Sequence, residues 1–335
     1  MQTISFVSVV MPVYNEAAYI SRSLGAVLAQ DYPGDCLEVL VVDGGSTDGT
    51  QAVVEAATRT DARVRLLDNP RRLQASAMNV GLRAAHGDVI ARVDGHTLIE
   101  PDYIRRCVKA LNATGAHNAG GPQRFVGLTP WGRAVAAAYR SPFSVPSRFT
   151  VSERAEFVDT VYMGAWPRAV LEQIGGFDES LAVNEDYELN VRIRQAGGRI
   201  YLSPDIRSAY YGRQTPGALW RQFFRYGGWK FKVLRKHPAS ARPRHLVAPV
   251  FVAAIAGGAV LGLFSKRAAR LWQIALGSYA VALTAASARQ AAREGWQHLL
   301  RLPLVFACMH VAWGSGFWAE ALRAVSGVAV RRVRA

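Results

Sequence analysis

Three acidic clusters in this 335-residue chain sit where a fold could use them for chemistry. The first is VVDGGSTDGT at 41–50, where an apolar run ends in Asp43 and two glycines permit a tight turn and close ligand approach. Asp43 is placed to accept hydrogen bonds from a base or ribose. With Ser46 or Thr47 capping the next helix, the same residues equally make a plain strand-to-helix turn. The second cluster is RVDGHT at 92–97, in which Asp94 and His96 alternate around Gly95 and can converge on one divalent ion. Carboxylate oxygens suit Mg2+ or Mn2+, and an imidazole shifts the preference towards Mn2+ or a softer ion. Such an ion would bind a substrate diphosphate and neutralise a leaving group, although short carboxylate–histidine pairs are also common in turns. The third is NEDYELNVRIR at 184–194, with Glu185 and Asp186 in the first turn of a helix, where the dipole stabilises negative charge. That effect alone accounts for Glu185. Asp186 could instead point into a crevice and accept a proton from an attacking hydroxyl, and Glu188 reads as a surface or ion-pair residue.

A fourth element, WRQFFRYGGWKFK at 220–232, sets Gln222 and Arg225 on one helix face among Phe223, Phe224, Tyr226 and Trp229. Arginine beside aromatics suits phosphate or sugar contact, and the same pattern fits an amphipathic helix at a bilayer surface. The histidines at 86, 117, 237, 245, 298 and 310 form no ligand spacing and read as structural or surface residues.

Positioning these groups requires a scaffold, and residues 1–121 supply its pattern. Apolar runs at Val7–Val13, Leu37–Asp43, Val64–Asp68 and Val89–Asp94 alternate with helical stretches near 17–29, 50–58, 73–85 and 102–112. Strands spaced by helices of that length predict βαβ units and a parallel sheet. Asp43, Asp68 and Asp94 then fall at strand carboxyl ends, where open α/β sheets bind ligands. Residues 122–160, rich in Pro, Gly, Arg and Ser, read as a flexible connection over the site. A helix after Trp166-Pro167 ending at Gly175-Gly176, and another from Glu185 to Ala196, make Phe157–Arg213 the second half of the same domain.

Half of the residues are apolar, which excludes intrinsic disorder. The net charge of +15 is unevenly placed: residues 1–220 carry 22 basic and 23 acidic side chains, whereas residues 221–335 carry 18 basic and two acidic ones. The cations crowd beside uncharged runs at 246–264, 271–287 and 302–319, the first of them 19 residues long and close to the ~20 that span a bilayer. Membrane association is the expectation, and a nucleic-acid surface is not. Eight Lys/Arg at 221–245 place the near end of the first run in the cytoplasm, yet three simple spans would put the RRVRA tail outside, against the charge rule. Three scattered cysteines suggest neither disulfides nor a zinc site, and the first residues lack a signal-peptide pattern; a cytoplasmic start is expected.

In this order the motifs resemble the family 2 inverting glycosyltransferases of the GT-A fold, and among them the membrane-attached succinoglycan and exopolysaccharide biosynthesis enzymes. The resemblance rests on VSVVMPVYNE at 7–16, VVDGGSTDGT at 41–50, NPRRLQASAMNVGLRAAHGDVI at 69–90, RVDGHT at 92–97, GGFDE at 175–179, NEDYELNVR at 184–192 and QFFRY at 222–226. It implies a GT-A fold, a mostly parallel sheet flanked by helices, over residues 1–236, followed by a helical membrane region over 237–335. It further implies that Pro12, Tyr14 and Glu16 line the nucleotide pocket, that Asp43 contacts base or ribose, and that Arg71 approaches the nucleotide. Asp94 and His96 match the metal-binding Asp-x-Asp, Asp186 the catalytic base, and Gln222, Arg225 and Tyr226 the QxxRW element near acceptor and diphosphate, with Glu185 beside them. Gly44 stands where many relatives have a second Asp, His96 replaces the second acid of Asp-x-Asp, and Tyr226 replaces Trp. The last change, with no long processive pore region, argues for single-sugar transfer over polysaccharide synthesis.

The implied reaction is a single displacement from a UDP-sugar, glucose foremost, aided by Mn2+ or Mg2+, onto a lipid-linked saccharide at the cytoplasmic face of a bacterial inner membrane. A polyprenyl phosphate acceptor and a non-catalytic membrane scaffold are the alternatives. A nicotinamide oxidoreductase would need GxGxxG after the first strand, where MPVYNE stands. Oligomeric state and pathway partners stay open.

Overall fold

The computed structural model describes residues 5–144 and 152–326. Strands β1 (Val7–Val13), β2 (Leu37–Asp43) and β3 (Val64–Asp68) have the predicted bounds, and β4 runs Val89–Arg92, so that Asp94 lies just beyond its end. Helices α1 (Ile20–Leu28), α2 (Thr50–Thr60), α3 (Gln74–Ala84) and α4 (Tyr103–Thr114) fill the expected intervals. Strands β1 and β2 are almost continuously apolar because both faces are covered, as in a parallel sheet flanked by helices. Besides Asp43 at its end, β2 holds one charged residue, Glu38, whose buried carboxylate accepts from the Ser8 hydroxyl at 2.6 Å and the His86 amide at 2.7 Å.

Further strands are β5 (Thr97–Ile99), β6 (Asn118–Gly121), β7 (Gln123–Val126), β8 (Glu156–Val158), β9 (Tyr162–Pro167), β10 (Ile200–Leu202) and β11 (Ser208–Tyr211). Eight of them form one sheet in the order β3-β2-β1-β4-β9-β6-β10-β8. The β1, β2, β3 and β4 pairings are parallel, as is β6 with β10. Strand β9 runs antiparallel to both β4 and β6, and β8 antiparallel to β10, so the sheet is mixed. Trp166 of β9 is fully buried with Val10, Leu40, Ile90, Leu171, Leu189 and Ile193, which joins the two halves of the sheet through one core. Each such side chain contributes about 1.5–3 kcal/mol on burial. The helices Arg168–Ile174 and Glu185–Gln195 both follow the predicted pattern, the first closed by Gly175 in the left-handed conformation.

The chain divides into two compact units, one of Met1–Arg124 with Arg148–Tyr211, the other of Phe125–Ser147 with Gly212–Ala335. The helix Pro216–Lys236, grouped with the catalytic part by the sequence, belongs to the second unit. Residues 122–160 differ from the irregular connection expected: they contain β7, β8 and helix α5 (Pro130–Tyr139), while 145–151 lie outside the described residues. The Thr129 hydroxyl caps α5 by accepting from the Gly132 amide at 2.9 Å, with Pro130 in the first turn and an alanine-rich body behind it. In the second unit the three apolar runs are helices Pro243–Gly262, Lys266–Glu294 and Leu302–Val325, each long and apolar enough to cross a membrane. The RRVRA tail lies outside the described residues.

Candidate active site

The loop after β2 is built by Asp43. Its buried carboxylate accepts from the Gly45 and Ser46 amides at 2.9 Å each, from the Ser46 hydroxyl, and from Gln51 Nε2 at 2.6 Å. Three of these bonds fall on Oδ2 and one on Oδ1, so Asp43 shapes its own loop and keeps an acceptor site on Oδ1. The loop after β1 is laced to this one. Asn15, in the left-handed region at φ 55°, accepts from the Thr47 amide at 2.8 Å and donates its own amide to Ser46 Oγ at 2.8 Å. The amides of Glu16 and Ala17 donate to Thr50 Oγ1 at 2.8 Å and Asp48 Oδ2 at 3.0 Å. The Asp48 carboxyl is held below its usual range, first by the Thr50 hydroxyl and then by the Ala17 amide.

Tyr14 is 38% exposed on this shelf, a ring available for stacking. A Cβ on Gly44 would stand 3.2 Å from the Tyr14 ring carbon Cδ2, so the glycine that replaces an acid of the pattern makes room for the tyrosine. Pro12 is half-buried next to it.

Two adjacent arginines follow β3 and behave differently. Arg71, the one expected to approach a nucleotide, is ion-paired with Glu179 of GGFDE. Glu179 also accepts from Asn79 Nδ2 at 2.8 Å, so Arg71 is tied to the helix α3 side of the sheet. Arg72 sits in the left-handed region at φ 56°, and its Nη2 lies 3.3 Å from where a Gly45 Cβ would be. Among the described residues it has no carboxylate partner. Nothing in the residue pattern distinguishes Arg72; only the glycine loop it lies against reveals it.

The strand-end acid Asp94 is 5% exposed and belongs to a buried network. Arg92 Nε donates to Asp94 Oδ1 at 2.7 Å, and Arg92 Nη1 donates to Glu185 Oε1 at 3.1 Å. Gln74 Nε2 and the Tyr162 hydroxyl lie 3.2 and 3.4 Å from the Asp94 carboxylate oxygens. Burial would raise the Asp94 carboxyl, but the Arg92 charge and hydrogen bond hold it below its ordinary value. Burial and the neighbouring Asp186 push Glu185 up to about 7, against the pull of Arg92. Asp186, half-buried, accepts from the Tyr187 amide at 2.7 Å. Two residues before it, Asn184 at φ 64° turns the chain into the helix. Glu188 is a buried ion-pair residue, 2.8 Å from Arg192, rather than a surface one.

His96 Nδ1 lies 2.7 Å from Glu16 Oε1, and its ring meets Tyr210 edge-on. Among the described residues no three His, Cys, Asp or Glu side chains gather as a metal cage. That fits Mg2+ or Mn2+ bound to a nucleotide, which takes one or two protein ligands and leaves the remainder to phosphate and water. An ionised Asp94 two residues from an imidazole supplies a donor set of that size.

In the second unit, Gln222 is buried and donates from Nε2 to the Tyr226 hydroxyl at 2.9 Å, while Arg225 is exposed. A tryptophan at 226 could not accept that hydrogen bond, because indole is a donor only. The replacement of Trp by Tyr therefore gives Gln222 its partner.

The profile of Glycosyl transferase family 2 matches residues 8–173. The succinoglycan biosynthesis protein ExoA of Rhizobium meliloti is 31% identical over 317 residues, 94% of this chain and 94% of that protein. The chain belongs to glycosyltransferase family 2. A second relative of this glycosyltransferase, at 26% identity over 69% of the chain and 75% of the relative, is the dolichyl N-acetyl-alpha-D-glucosaminyl phosphate 3-beta-D-2,3-diacetamido-2,3-dideoxy-beta-D-glucuronosyltransferase of Methanococcus voltae. Its fold is similar to that of the mannosyltransferase PcManGT of Pyrobaculum calidifontis, solved with GDP-Man and Mn2+. The two share a TM-score of 0.61 and 23% identity, covering 98% of this chain and 89% of that one. The GT-A architecture expected from the motifs is thus the architecture present.

Proposed function

We propose that this glycosyltransferase moves one sugar, most readily glucose from UDP-glucose, to a lipid-linked saccharide during assembly of a bacterial exopolysaccharide or cell-surface glycan. The observation that carries the reading is Arg92, shared by Asp94 and Glu185, because it ties the strand-end acid to the helix that begins with Glu185 and Asp186. The names of the relatives support the substrate classes: ExoA is a succinoglycan biosynthesis protein, and the Methanococcus enzyme is named for a lipid-linked sugar acceptor.

In this reading Pro12, Tyr14, Glu16 and the Asp43 loop receive the nucleoside, with Arg72 added to Arg71 as a cation facing its phosphates. Asp94 and His96 would hold a divalent cation, Mn2+ or Mg2+, which when bound neutralises charge on the diphosphate. Arg92 keeps Asp94 ionised for that task. Asp186 takes the proton of the acceptor hydroxyl on a carboxylate oxygen while that hydroxyl oxygen attacks the anomeric carbon opposite the diphosphate. The bond to the diphosphate breaks, and the anomeric centre inverts. Gln222, Arg225 and Tyr226 serve acceptor and diphosphate, as the resemblance implies. Residues 1–236 carry the chemistry and 237–335 the membrane anchorage, with the catalytic part on the cytoplasmic side of the inner membrane.

The test is incubation of membranes containing the protein with labelled nucleotide sugars, followed by analysis of the lipid fraction. Label from UDP-glucose on a lipid-linked oligosaccharide is expected. Label on a simple polyprenyl phosphate would replace the acceptor, and transfer from no nucleotide sugar would leave a scaffold in place of the enzyme.

A further inference from the structure

We propose that the membrane part of this chain is a two-pass hairpin and that its third apolar helix does not cross. Helices Pro243–Gly262 and Lys266–Glu294 make the hairpin. Helix Leu302–Val325 lies along the interface beside Pro216–Lys236, and residue 326 ends on the same face as Pro216–Lys236. The inference rests on the reading of the chain as a membrane protein.

The first observation is a pairing in which both helices advance together. Cys308 meets Pro216, Gly316 meets Phe224, Phe317 stacks edge-on with Phe231 at 5.2 Å, and Glu320 pairs with Lys232 at 3.4 Å. The contact is backbone to backbone: a Cβ on Gly227 would stand 2.0 Å from the Trp313 carbonyl oxygen, and one on Gly316 1.9 Å from that of Phe224. Pro216–Lys236 carries six cations, Arg221, Arg225, Lys230, Lys232, Arg235 and Lys236, and no acid. Each would cost about 2.5–3.5 kcal/mol at the bilayer centre on insertion scales, so this helix stays out of the hydrocarbon. A helix aligned along it over several turns stays out as well.

The second observation explains why Leu302–Val325 is apolar without spanning. Half of its apolar window is buried inside the protein, against 17% and 6% for the other two helices. Phe306, Met309, Trp313 and Phe317 are all buried there. Its hydrophobicity is that of a core helix.

The hairpin has the opposite character. Its two arms run antiparallel, with Phe251 on Tyr279 at 4.4 Å, Trp272 Nε1 donating to the Ile255 carbonyl at 2.9 Å, and Gly262 against Ala269. The third helix touches this pair near its base, through Ala248 and Val252 on Gly314, Trp318 Nε1 on the Pro249 carbonyl at 2.7 Å, and His310 on the Tyr279 hydroxyl at 3.0 Å. Beyond that level the arms are bare: Leu261, Leu263, Phe264 and Leu271 are 61–83% exposed. The uncharged run 246–264 would extend about 28 Å as a helix, of which about 18 Å, residues 253–264, lies beyond the contact with the third helix.

Charge agrees. Of the 15 Lys/Arg among the described residues of 221–335, this arrangement puts three, Lys266, Arg267 and Arg270, at the hairpin tip and 12 at its base. Three spans would carry the tail arginines across.

The experiment uses the full chain with Cys36, Cys107 and Cys308 replaced by Ala, carrying either Arg267→Cys or Ser326→Cys, both exposed positions. The chain must first stay with the membrane after an alkaline carbonate wash; release would defeat the membrane reading itself. In spheroplasts, a membrane-impermeant maleimide is expected to label Arg267→Cys before lysis and Ser326→Cys only after it. Labelling of Ser326→Cys before lysis would establish a third span and overturn the proposal. Protection of Arg267→Cys until lysis would overturn it too, by showing that the hairpin does not cross.

Discussion

Arg92 donates to Glu185 at 3.1 Å, joining two residues 93 positions apart. The same guanidinium holds Asp94, so one buried cation fixes both the strand end and the start of the helix Glu185–Gln195. Removing it leaves the buried Asp94 carboxylate uncompensated and Glu185 without its donor. Arg92→Leu is expected to destabilise the catalytic unit by about 3–5 kcal/mol, read as a fall in Tm of the purified protein. Arg92→Lys should recover part of it, keeping the charge without the fork.

Glu185, with its carboxyl raised to about 7, favours the protonated form in the fold. Its contribution to stability is therefore greatest below the unfolded value, near 4.5, and is lost as pH rises to about 7. Glu185→Gln should remove that slope, so that the difference in Tm between variant and parent grows in the variant's favour from pH 5 to pH 7.5. A constant difference would show that Glu185 is ionised throughout.

Asp186→Asn should leave UDP binding intact and lower transfer by roughly 10²–10⁴-fold. Calorimetry with UDP and a transfer assay on the same preparation separate the two. Unchanged turnover would remove Asp186 from the role of base and favour a phosphate acceptor, which needs little help with deprotonation.

Asp94→Ala should abolish the part of UDP affinity that depends on Mn2+, seen by titration with and without the ion. His96→Ala should weaken the same component less, because His96 is also engaged by Glu16. Equal UDP affinity with and without Mn2+ in the parent would overturn the metal assignment.

The two arginines after β3 give the cleanest comparison. Arg72→Ala should weaken UDP binding by about 10–100-fold, the range of a charge-assisted hydrogen bond worth 1.5–3 kcal/mol. Arg71→Ala should weaken it less, because Arg71 is also held by Glu179. The opposite ranking in UDP titrations would make Arg71 the main phosphate contact.

Much of this architecture was legible beforehand because continuous apolar runs and their acidic ends mark parallel strands directly, as at Leu37–Asp43. Strand direction was not: nothing in YMGAWP says that β9 runs against its neighbours. Helix α5 carried its signal in Thr129-Pro130 and the alanines that follow, but the Pro, Gly and Ser around it masked that signal. The acids themselves were visible by type, whereas their partners were not. Asp43 is engaged by its own loop and the helix after it, and Asp94 by an arginine whose other contact is 93 residues away. Local spacing finds candidate groups; tertiary packing decides what each is free to do.

The lacing of Asn15, Glu16 and Ala17 to Ser46, Thr47, Asp48 and Thr50 has a kinetic consequence. These loops are already ordered by bonds among themselves, so their conformational entropy is lost on folding and not on encounter with the donor. Nucleotide capture at this shelf is then docking onto a rigid, preorganised surface. Its association rate should follow diffusion and ionic strength rather than the folding of a loop.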